Sequence, residues 1–140
     1  MSEQVYPCIW LKKDAKKIAE FYCSIFKEAR ILSENPFVVL IHLNGQKLMF
    51  LNGSDSISPN ESFSLVVTCK DQNEIDYYWN NLSQNGTEGK CGWLKDQFGI
   101  SWQIVPDFLG ELMNDPEKAP KAMYAFMQMS KIEIDKLIEL

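Results

Sequence analysis

The chain has 140 residues, a formal net charge of −5, 46% hydrophobic residues and 24% charged residues. These values are typical of a soluble globular protein, and the length suits one domain or two small halves that share a core. The isoelectric point near 4.9 argues against a nucleic-acid partner, because phosphates require a basic surface.

Targeting signals and cysteine usage both indicate a cytoplasmic protein. No apolar run approaches the ~20 residues of a membrane span, and the polar start of the chain is not a signal peptide. The four cysteines, Cys8, Cys23, Cys69 and Cys91, are scattered without a C-x-x-C pair. We therefore expect reduced thiols that behave as small hydrophobic groups, not a metal knuckle or a disulfide scaffold, and no membrane partner.

The first part of the chain predicts a strand, a helix and three further strands. The predicted elements are a strand over 5–11, a helix from 15 to about 27, and strands over 29–33, 37–43 and 46–51. Asp14 is the expected N-cap of the helix, and Asn44-Gly45 predicts a hairpin turn. Residues 52–60 are rich in Gly, Ser, Asn and Pro, so they predict a loop and an internal boundary.

The same order of elements then begins again. The predicted elements are a strand over 63–69, a helix capped by Asp71, a weak strand over 88–90, and strands over 93–95 and 101–105. Gly86 is the expected left-handed cap after the helix, and Gly99 is expected at positive φ in the turn 96–99. Beyond Pro106 the pattern predicts a short helix over 108–113, a longer one to about Met129, and an amphipathic piece over 132–140. Pro120 lies in the opening turns of the longer helix or breaks it.

Matched spacing relates the two parts as a repeat. Asp14 and Asp71 each stand between a strand and a helix, and Gly45 and Gly99 each precede a return strand. The buried helical stripes correspond: Ile18, Tyr22, Ile25 and Phe26 in one part, and Ile75, Tyr78, Trp79 and Leu82 in the other. The prediction is an α+β fold of two βαβββ modules, over about 5–53 and 63–106, with a C-terminal helical segment over 107–140. We expect them to form a single domain.

The repeat also assigns the faces of the two sheets. Aligning the glycines places Met49 opposite Gln103, with Leu48 and Phe50 opposite Trp102 and Ile104. We expect each helix to cover the Trp102/Ile104 face or its Leu48/Phe50 equivalent. The other face, with Met49 and the unexpectedly polar Gln103, must then meet the partner half or line a cavity, where small molecules usually bind.

Several segments resemble one known family. They are residues 91–106, CGWLKDQFGISWQIVP, with CIWL in the first strand, AEFYCSIF in the first helix, TCKDQNEIDYYW, and MQMSKIEIDKL near the end. They resemble the PhnB-like family, also labelled "3-demethylubiquinone-9 3-methyltransferase" domain. That family lies in the vicinal oxygen chelate superfamily, with glyoxalase I, bleomycin-resistance proteins and dioxygenases. Lys12-Lys13 departs from the family pattern, which more often has an aromatic and an acidic-glycine pair there.

The resemblance implies where a metal ion would be held. Metal-binding members of the superfamily use His, Gln or Glu from the first and last strand of each module, which the repeat places at about Pro7, Met49, Ser64 and Gln103. Pro and Met offer no hard donor, and a hydroxyl and an amide are weak ligands for Zn, Ni or Fe. We therefore expect no metal and no cofactor. The candidate cavity residues are Ser64, Gln103, Met49, Cys8 and Trp93.

Catalytic groups are harder to identify. His42 is the only histidine, and without an orienting partner in the sequence it is expected to be a structural or surface residue. Cys8 and Cys91 could reach the cavity, although a thiolate would need a nearby cation. The seven glycines do not form the glycine-rich turn that usually approaches S-adenosylmethionine, so the methyltransferase label is no evidence of activity.

These observations favour a metal-free small-molecule binding protein. The alternatives are an enzyme, either of the glyoxalase/dioxygenase superfamily or the labelled methyltransferase, and an assembly component whose main interface is its own dimer. We expect a homodimer in any case, because the apolar stripes after Pro106 exceed what one small domain can bury.

Overall fold

The computed structural model describes residues 3–138, and the chain divides into two units between Pro59 and Asn60. This division falls in the loop where the sequence predicted an internal boundary. No helix within residues 3–138 has both the length and the apolarity to cross a bilayer.

The first unit is a four-stranded mixed sheet with one helix. Its elements are β1 (Cys8–Leu11), α1 (Ala15–Ile25), β2 (Ala29–Glu34), β3 (Val38–Leu43) and β4 (Gln46–Asn52). The strand order is β1-β4-β3-β2, with β1 parallel to β4 and the other pairs antiparallel. The first strand begins at Cys8, later than predicted. The predicted β3–β4 hairpin is confirmed: Asn44 and Gly45 both have positive φ, 44° and 94°, as a type I′ turn requires.

The start of helix α1 is capped from outside the helix. Asp14 occupies the N-cap position as predicted, but its side chain makes no capping hydrogen bond. Asn52, at the end of β4, accepts a hydrogen bond through Oδ1 from the backbone nitrogen of Ala15 at 3.0 Å. A backbone donor that the helix itself cannot pair is thus paired by a residue 37 positions away, which no local pattern can indicate.

The second unit repeats the arrangement and adds three helices. Its elements are β5 (Ser64–Cys69), α2 (Gln72–Leu82), β6 (Thr87–Glu88), β7 (Trp93–Lys95), β8 (Ser101–Pro106), α3 (Leu109–Met113), α4 (Lys118–Met127) and α5 (Ile134–Ile138). The strand order is β5-β8-β7-β6, with β5 parallel to β8. The order of elements in both units is the predicted βαβββ, so the predicted α+β fold of two such modules is confirmed.

Helix α2 has the local cap that the sequence predicted. Asp71 Oδ1 accepts from the backbone nitrogen of Glu74 at 2.9 Å, and Glu74 Oε1 accepts from that of Lys70 at 2.8 Å. The predicted left-handed cap at Gly86 is wrong, since the residue with positive φ there is Asn85, at 60°. Gly86 is needed for another reason: a Cβ on it would overlap the carbonyl oxygen of Lys95.

The C-terminal helices complete the second unit. Asp115 Oδ1 accepts from the backbone nitrogens of Glu117 and Lys118, and Pro120 lies in the first turn of α4 without breaking it. Gln72 of α2 binds the segment before α5, donating to the carbonyl oxygen of Ile132 at 3.0 Å and accepting from Ile134 N at 2.9 Å. Residues 139–140 of the predicted last piece lie outside the described residues.

Candidate functional site

Each sheet has one face covered by its own helix. In the first unit Leu48 and Phe50 are fully buried, and the Phe50 ring meets the Tyr22 ring of α1 edge-on, with centroids 5.9 Å apart. In the second unit Trp102 and Ile104 are fully buried, and α2 packs against β8. Because side chains alternate along a strand, Met49 and Gln103 each project from the face of their sheet that no helix covers, as the sequence predicted.

Three of the five predicted site residues lie together on the helix-free face of the second unit. Gln103 Nε2 donates a hydrogen bond to Ser64 Oγ at 3.0 Å. Trp93 of β7 and Val66 of β5 are the register partners of Gln103 on either side, so their side chains flank the amide. Gln103, Ser64 and Trp93 are half-buried, and Val66 is 55% exposed. The result is a polar pair set among apolar side chains.

The other two predicted residues are neighbours in the first unit. Cys8 of β1 is the register partner of Met49 of β4, so both side chains project from the helix-free face. Cys8 is exposed, which agrees with its expected place outside the core. The partial burial of its thiol raises the pKa of Cys8 above the ordinary value, which disfavours the thiolate.

The strand register shows which of the positions carried over for a metal site are direct partners. Met49 pairs with Cys8, and Pro7 lies one residue out of register, although the Met49 backbone nitrogen donates to the Pro7 carbonyl oxygen at 3.0 Å. Gln103 pairs with Val66, so Ser64 is a diagonal neighbour rather than its direct partner. The alignment of Gly45 with Gly99 gave matching positions along the return strands only. The first strand of each module has no glycine that could mark its matching positions. Neither the Cys8–Met49 pair of the first unit nor Gln103 with Val66 and Ser64 in the second contains a carboxylate or an imidazole, so neither group fits a hard divalent ion.

Within residues 3–138, no three His, Cys, Asp or Glu side chains lie close enough together to hold a metal ion.

All four cysteines are free thiols. Cys69 is buried, and desolvation, followed by the nearby carboxylates of Glu74, Asp71 and Asp107, raises its pKa to about 12. A thiol in this environment stays protonated and does not act as a nucleophile.

One feature of the second unit was not singled out from the sequence. A cavity of about 280 Å³ is lined by Trp93, Lys95, Ser101, Glu61 and Thr87, among others. Ser101 is only 1% exposed, and its hydroxyl has no hydrogen-bond partner among the described residues. The alternation along β8 already placed Ser101 on the Gln103 face, but a serine in a strand carries no sign of an unpaired hydroxyl.

A second missed feature lies on the helix-free face of the first unit. His42 of β3 stands in register between Arg30 of β2 and Lys47 of β4. The only histidine and the only arginine of the chain are therefore direct cross-strand neighbours. His42 is half-buried, and its Nδ1 is buried without a hydrogen-bond partner among the described residues. Its opposite parity to Val39 and Ile41 was visible in the sequence, whereas its neighbours depend on strand pairing.

Comparison with known proteins gives one matching family and several similar structures. The family model described as 3-demethylubiquinone-9 3-methyltransferase matches residues 3–105. A PhnB protein from Bacillus cereus is 25% identical, with a TM-score of 0.66, and the match covers 74% of this chain and 99% of that one. None of the curated proteins matches the sequence.

Two more distant structures show the fold alone. FosX, the fosfomycin resistance protein of Listeria monocytogenes in complex with Mn(II) and sulfate, is 14% identical with a TM-score of 0.60, over 81% of this chain and 96% of that one. A glyoxalase-related enzyme from Fulvimarina pelagi is 16% identical with a TM-score of 0.52, over 74% and 87%. Both have the fold found here, and neither likeness assigns a ligand to this chain.

Proposed function

The chain belongs to the 3-demethylubiquinone-9 3-methyltransferase family of PhnB-like proteins in the vicinal oxygen chelate superfamily, and we propose that it is a metal-free small-molecule binding protein. The ligand lies on a helix-free sheet face, and the residues that receive it include Gln103, Ser64 and Trp93. The observation that carries the proposal is the hydrogen-bonded Gln103–Ser64 pair among apolar neighbours.

The polar groups of that pair are only partly used. Gln103 donates through Nε2 to Ser64, and its carbonyl oxygen accepts no hydrogen bond from the described residues. A half-buried amide whose carbonyl oxygen is free to accept a hydrogen bond is suited to orienting a ligand. Small-molecule sites typically have a small number of polar groups in a mostly apolar lining. The side chains of Trp93 and Val66 offer apolar contact on either side.

The absence of a metal ion is proposed from the donor chemistry. The thiol and thioether of the Cys8–Met49 pair, and separately the amide and hydroxyl of the Gln103–Ser64 pair, offer no strong ligand to a hard divalent ion. The manganese in FosX belongs to a distant relative whose likeness extends to the fold. A metal-dependent glyoxalase- or dioxygenase-like activity would therefore need donors that these residues do not offer, and the methyl transfer in the family description stays a separate alternative.

Metal analysis separates binding from metal-dependent catalysis. Protein purified without a tag is expected to contain transition metal far below one equivalent. About one equivalent per chain, lost in a Gln103→Ala variant, would contradict the metal-free proposal and favour the enzyme.

A ligand screen tests the binding proposal. Thermal unfolding of the protein is measured against a collection of small molecules, and hits are confirmed by tryptophan fluorescence. A Gln103→Leu variant is expected to lose stabilisation by the hits, whereas a Gln97→Leu variant, changed at an exposed turn residue, retains it. Hits that bind both variants equally would exclude Gln103 as a ligand-binding residue.

Two further properties are part of the proposal. The four free thiols suit a reducing compartment, so we place the protein in the cytoplasm.

The C-terminal helices expose large apolar side chains, namely Met123, Tyr124, Met127 and Ile138, so we expect a homodimer through this surface. With a net charge of −5, neither a nucleic acid nor a membrane is an expected partner.

A further inference from the structure

The 280 Å³ cavity of the second unit is lined in part by Trp93, Lys95 and Ser101, whose positions along β7 and β8 share the helix-free face with Gln103, although Gln103 itself does not line it. Ser101 of β8 is the register partner of Lys95 and of Ser64, and it shares its face with Gln103 two residues on. The Trp93 ring and the Lys95 stem line the same cavity. Its volume is somewhat below the range of ~300–1,000 Å³ that is common for ligand pockets, so it suits a small molecule of one or two rings.

The Ser101 hydroxyl is the polar group that this cavity leaves unpaired. The residue is 1% exposed and lines the cavity, and its Oγ has no hydrogen-bond partner among the described residues. A buried hydroxyl without a partner destabilises the folded chain, and most such groups in proteins are paired. Because Oγ itself is buried, a ligand oxygen reaches it only after the Ser101 side chain rotates about its Cα–Cβ bond toward the cavity, where the hydroxyl can both donate and accept.

The charged groups around the cavity are already paired with one another or with neighbours. Lys95 Nζ lies 2.9 Å from Glu61 Oε2, and the hydrogen bond from Lys95 holds the pKa of the Glu61 carboxyl below its ordinary value. Glu88 accepts a hydrogen bond from the indole nitrogen of Trp79. These groups lie at the surface and each already has a partner, so a charged ligand would lose hydration and gain little more than a surface ion pair, which favours a neutral ligand.

We infer that this cavity binds the ring of an uncharged, largely apolar molecule whose single hydroxyl or carbonyl oxygen hydrogen-bonds to Ser101. The ring of the ligand lies against Trp93, and the oxygen of the ligand becomes the hydrogen-bond partner of Ser101 Oγ. The inference rests on the proposed binding function of this face and adds the chemical class of its ligand.

Four related probes test the inference: p-cresol, toluene, 4-methylbenzoate and 4-methylbenzylamine. Binding is followed by NMR through the indole N–H signal of Trp93, which a Trp93→Phe variant assigns among the four tryptophans. We expect p-cresol to shift this signal and to bind about three- to tenfold more tightly than toluene, the gain from one net hydrogen bond. The two charged probes are expected to bind more weakly than p-cresol.

Variants separate a ligand contact from a structural role. Ser101→Ala is expected to reduce p-cresol affinity about three- to tenfold, to leave toluene affinity unchanged, and to unfold at the same or a higher temperature, because the unpaired hydroxyl is removed. Ser33→Ala, at an exposed strand position of the first unit, is the matched control and should leave affinity unchanged.

The possible failures are distinguishable. If p-cresol and toluene bind equally, if a charged probe binds best, or if Ser101→Ala leaves p-cresol affinity unchanged, the inference about ligand class is overturned while the binding function stands. If no probe shifts the Trp93 signal, the inference is also overturned. The binding function itself is then decided by the Gln103→Leu screen, which uses other compounds.

Discussion

The indole nitrogen Nε1 of Trp102 donates a hydrogen bond to Oδ2 of Asp96 at 3.0 Å, and both side chains are buried. Asp96 Oδ1 also accepts from the backbone nitrogens of Phe98 and Ile100, at 2.9 Å and 3.1 Å. One buried carboxylate thus joins the β7–β8 turn to the largest side chain of the core. The turn that positions Ser101 and Gln103 is therefore held by the core.

Replacement of Asp96 should destabilise the second unit strongly. Asp96→Ala removes three hydrogen bonds to a carboxylate and leaves the Trp102 indole N–H buried without that partner, so we expect a loss of about 3 kcal/mol or more in the free energy of unfolding. Denaturant unfolding measures it, with Asp55→Ala, at an exposed loop position, as the control. Equal losses in both variants would show that the carboxylate does not organise the turn.

Truncation of Trp102 should have a comparable effect for a different reason. The side chain is 1% exposed on the face that α2 covers, and Trp102→Ala is expected to cost ~3–5 kcal/mol of stability, as large aromatic truncations in cores do. Trp102→Phe keeps most of the buried surface but loses the hydrogen bond to Asp96, so its cost should be smaller. A loss below about 1 kcal/mol for the alanine variant would contradict this packing.

Two glycines give a matched test of close backbone approach. A Cβ on Gly86 would overlap the Lys95 carbonyl oxygen and lie 3.0 Å from Asp96 Cα, so Gly86→Ala is expected to cost about 1–3 kcal/mol or more. A Cβ on Gly110 of α3 would meet no atom within 4 Å, so Gly110→Ala should be neutral or stabilising by up to ~1 kcal/mol. Thermal unfolding of both variants distinguishes steric overlap from helix propensity.

The Asp76–Lys131 ion pair predicts a defined pH dependence. Lys131 Nζ lies 2.8 Å from Asp76 Oδ1, and the hydrogen bonds from Lys131 and then Gln72 lower the pKa of Asp76 below its ordinary value of 3.8. A lowered folded pKa contributes stability that is present above 3.8 and is lost as the pH falls through the folded pKa.

Asp76→Asn should therefore cost about 0.2–1 kcal/mol at pH 7, the range for an exposed pair. The difference from the wild type should shrink as the pH falls below 3.8 and should also shrink in 1 M salt. Urea unfolding across pH 2–7 measures it. A difference that stays constant to the lowest pH would exclude this ion pair as its source.

The exposed apolar surface of the C-terminal helices predicts self-association. Tyr124 is 70% exposed and Met127 59% exposed on α4, so we expect light scattering at micromolar concentration to give twice the 16.2 kDa of one chain. A Tyr124→Glu/Met127→Glu double variant should give a single-chain mass, whereas Lys121→Gln on the same helix should not change it. A wild-type mass of 16.2 kDa would contradict the dimer.

The sequence alone was sufficient for features that depend on local spacing. The apolar stripes of α1 and α2, apart from the half-buried Tyr78, agree with the prediction, as do the Asn44-Gly45 hairpin, the Asp71 cap and the β7–β8 turn with Gly99 at a φ of 84°. Each depends on residues a few positions apart, so the chemistry that forms it is visible along the chain. The repeat of these local signals was enough to predict both βαβββ modules.

Only the tertiary structure decided the contacts between residues distant in sequence. The pairing of β1 with β4 made Cys8, not Pro7, the neighbour of Met49, and the approach of Lys95 to Gly86 gave that glycine a steric role. Likewise, the sequence placed Ser101 on the correct face, but its unpaired hydroxyl follows from packing around β8. The physical reason is that strand register and burial depend on which segments pack together. The type of a single residue and its spacing from nearby residues do not specify that packing.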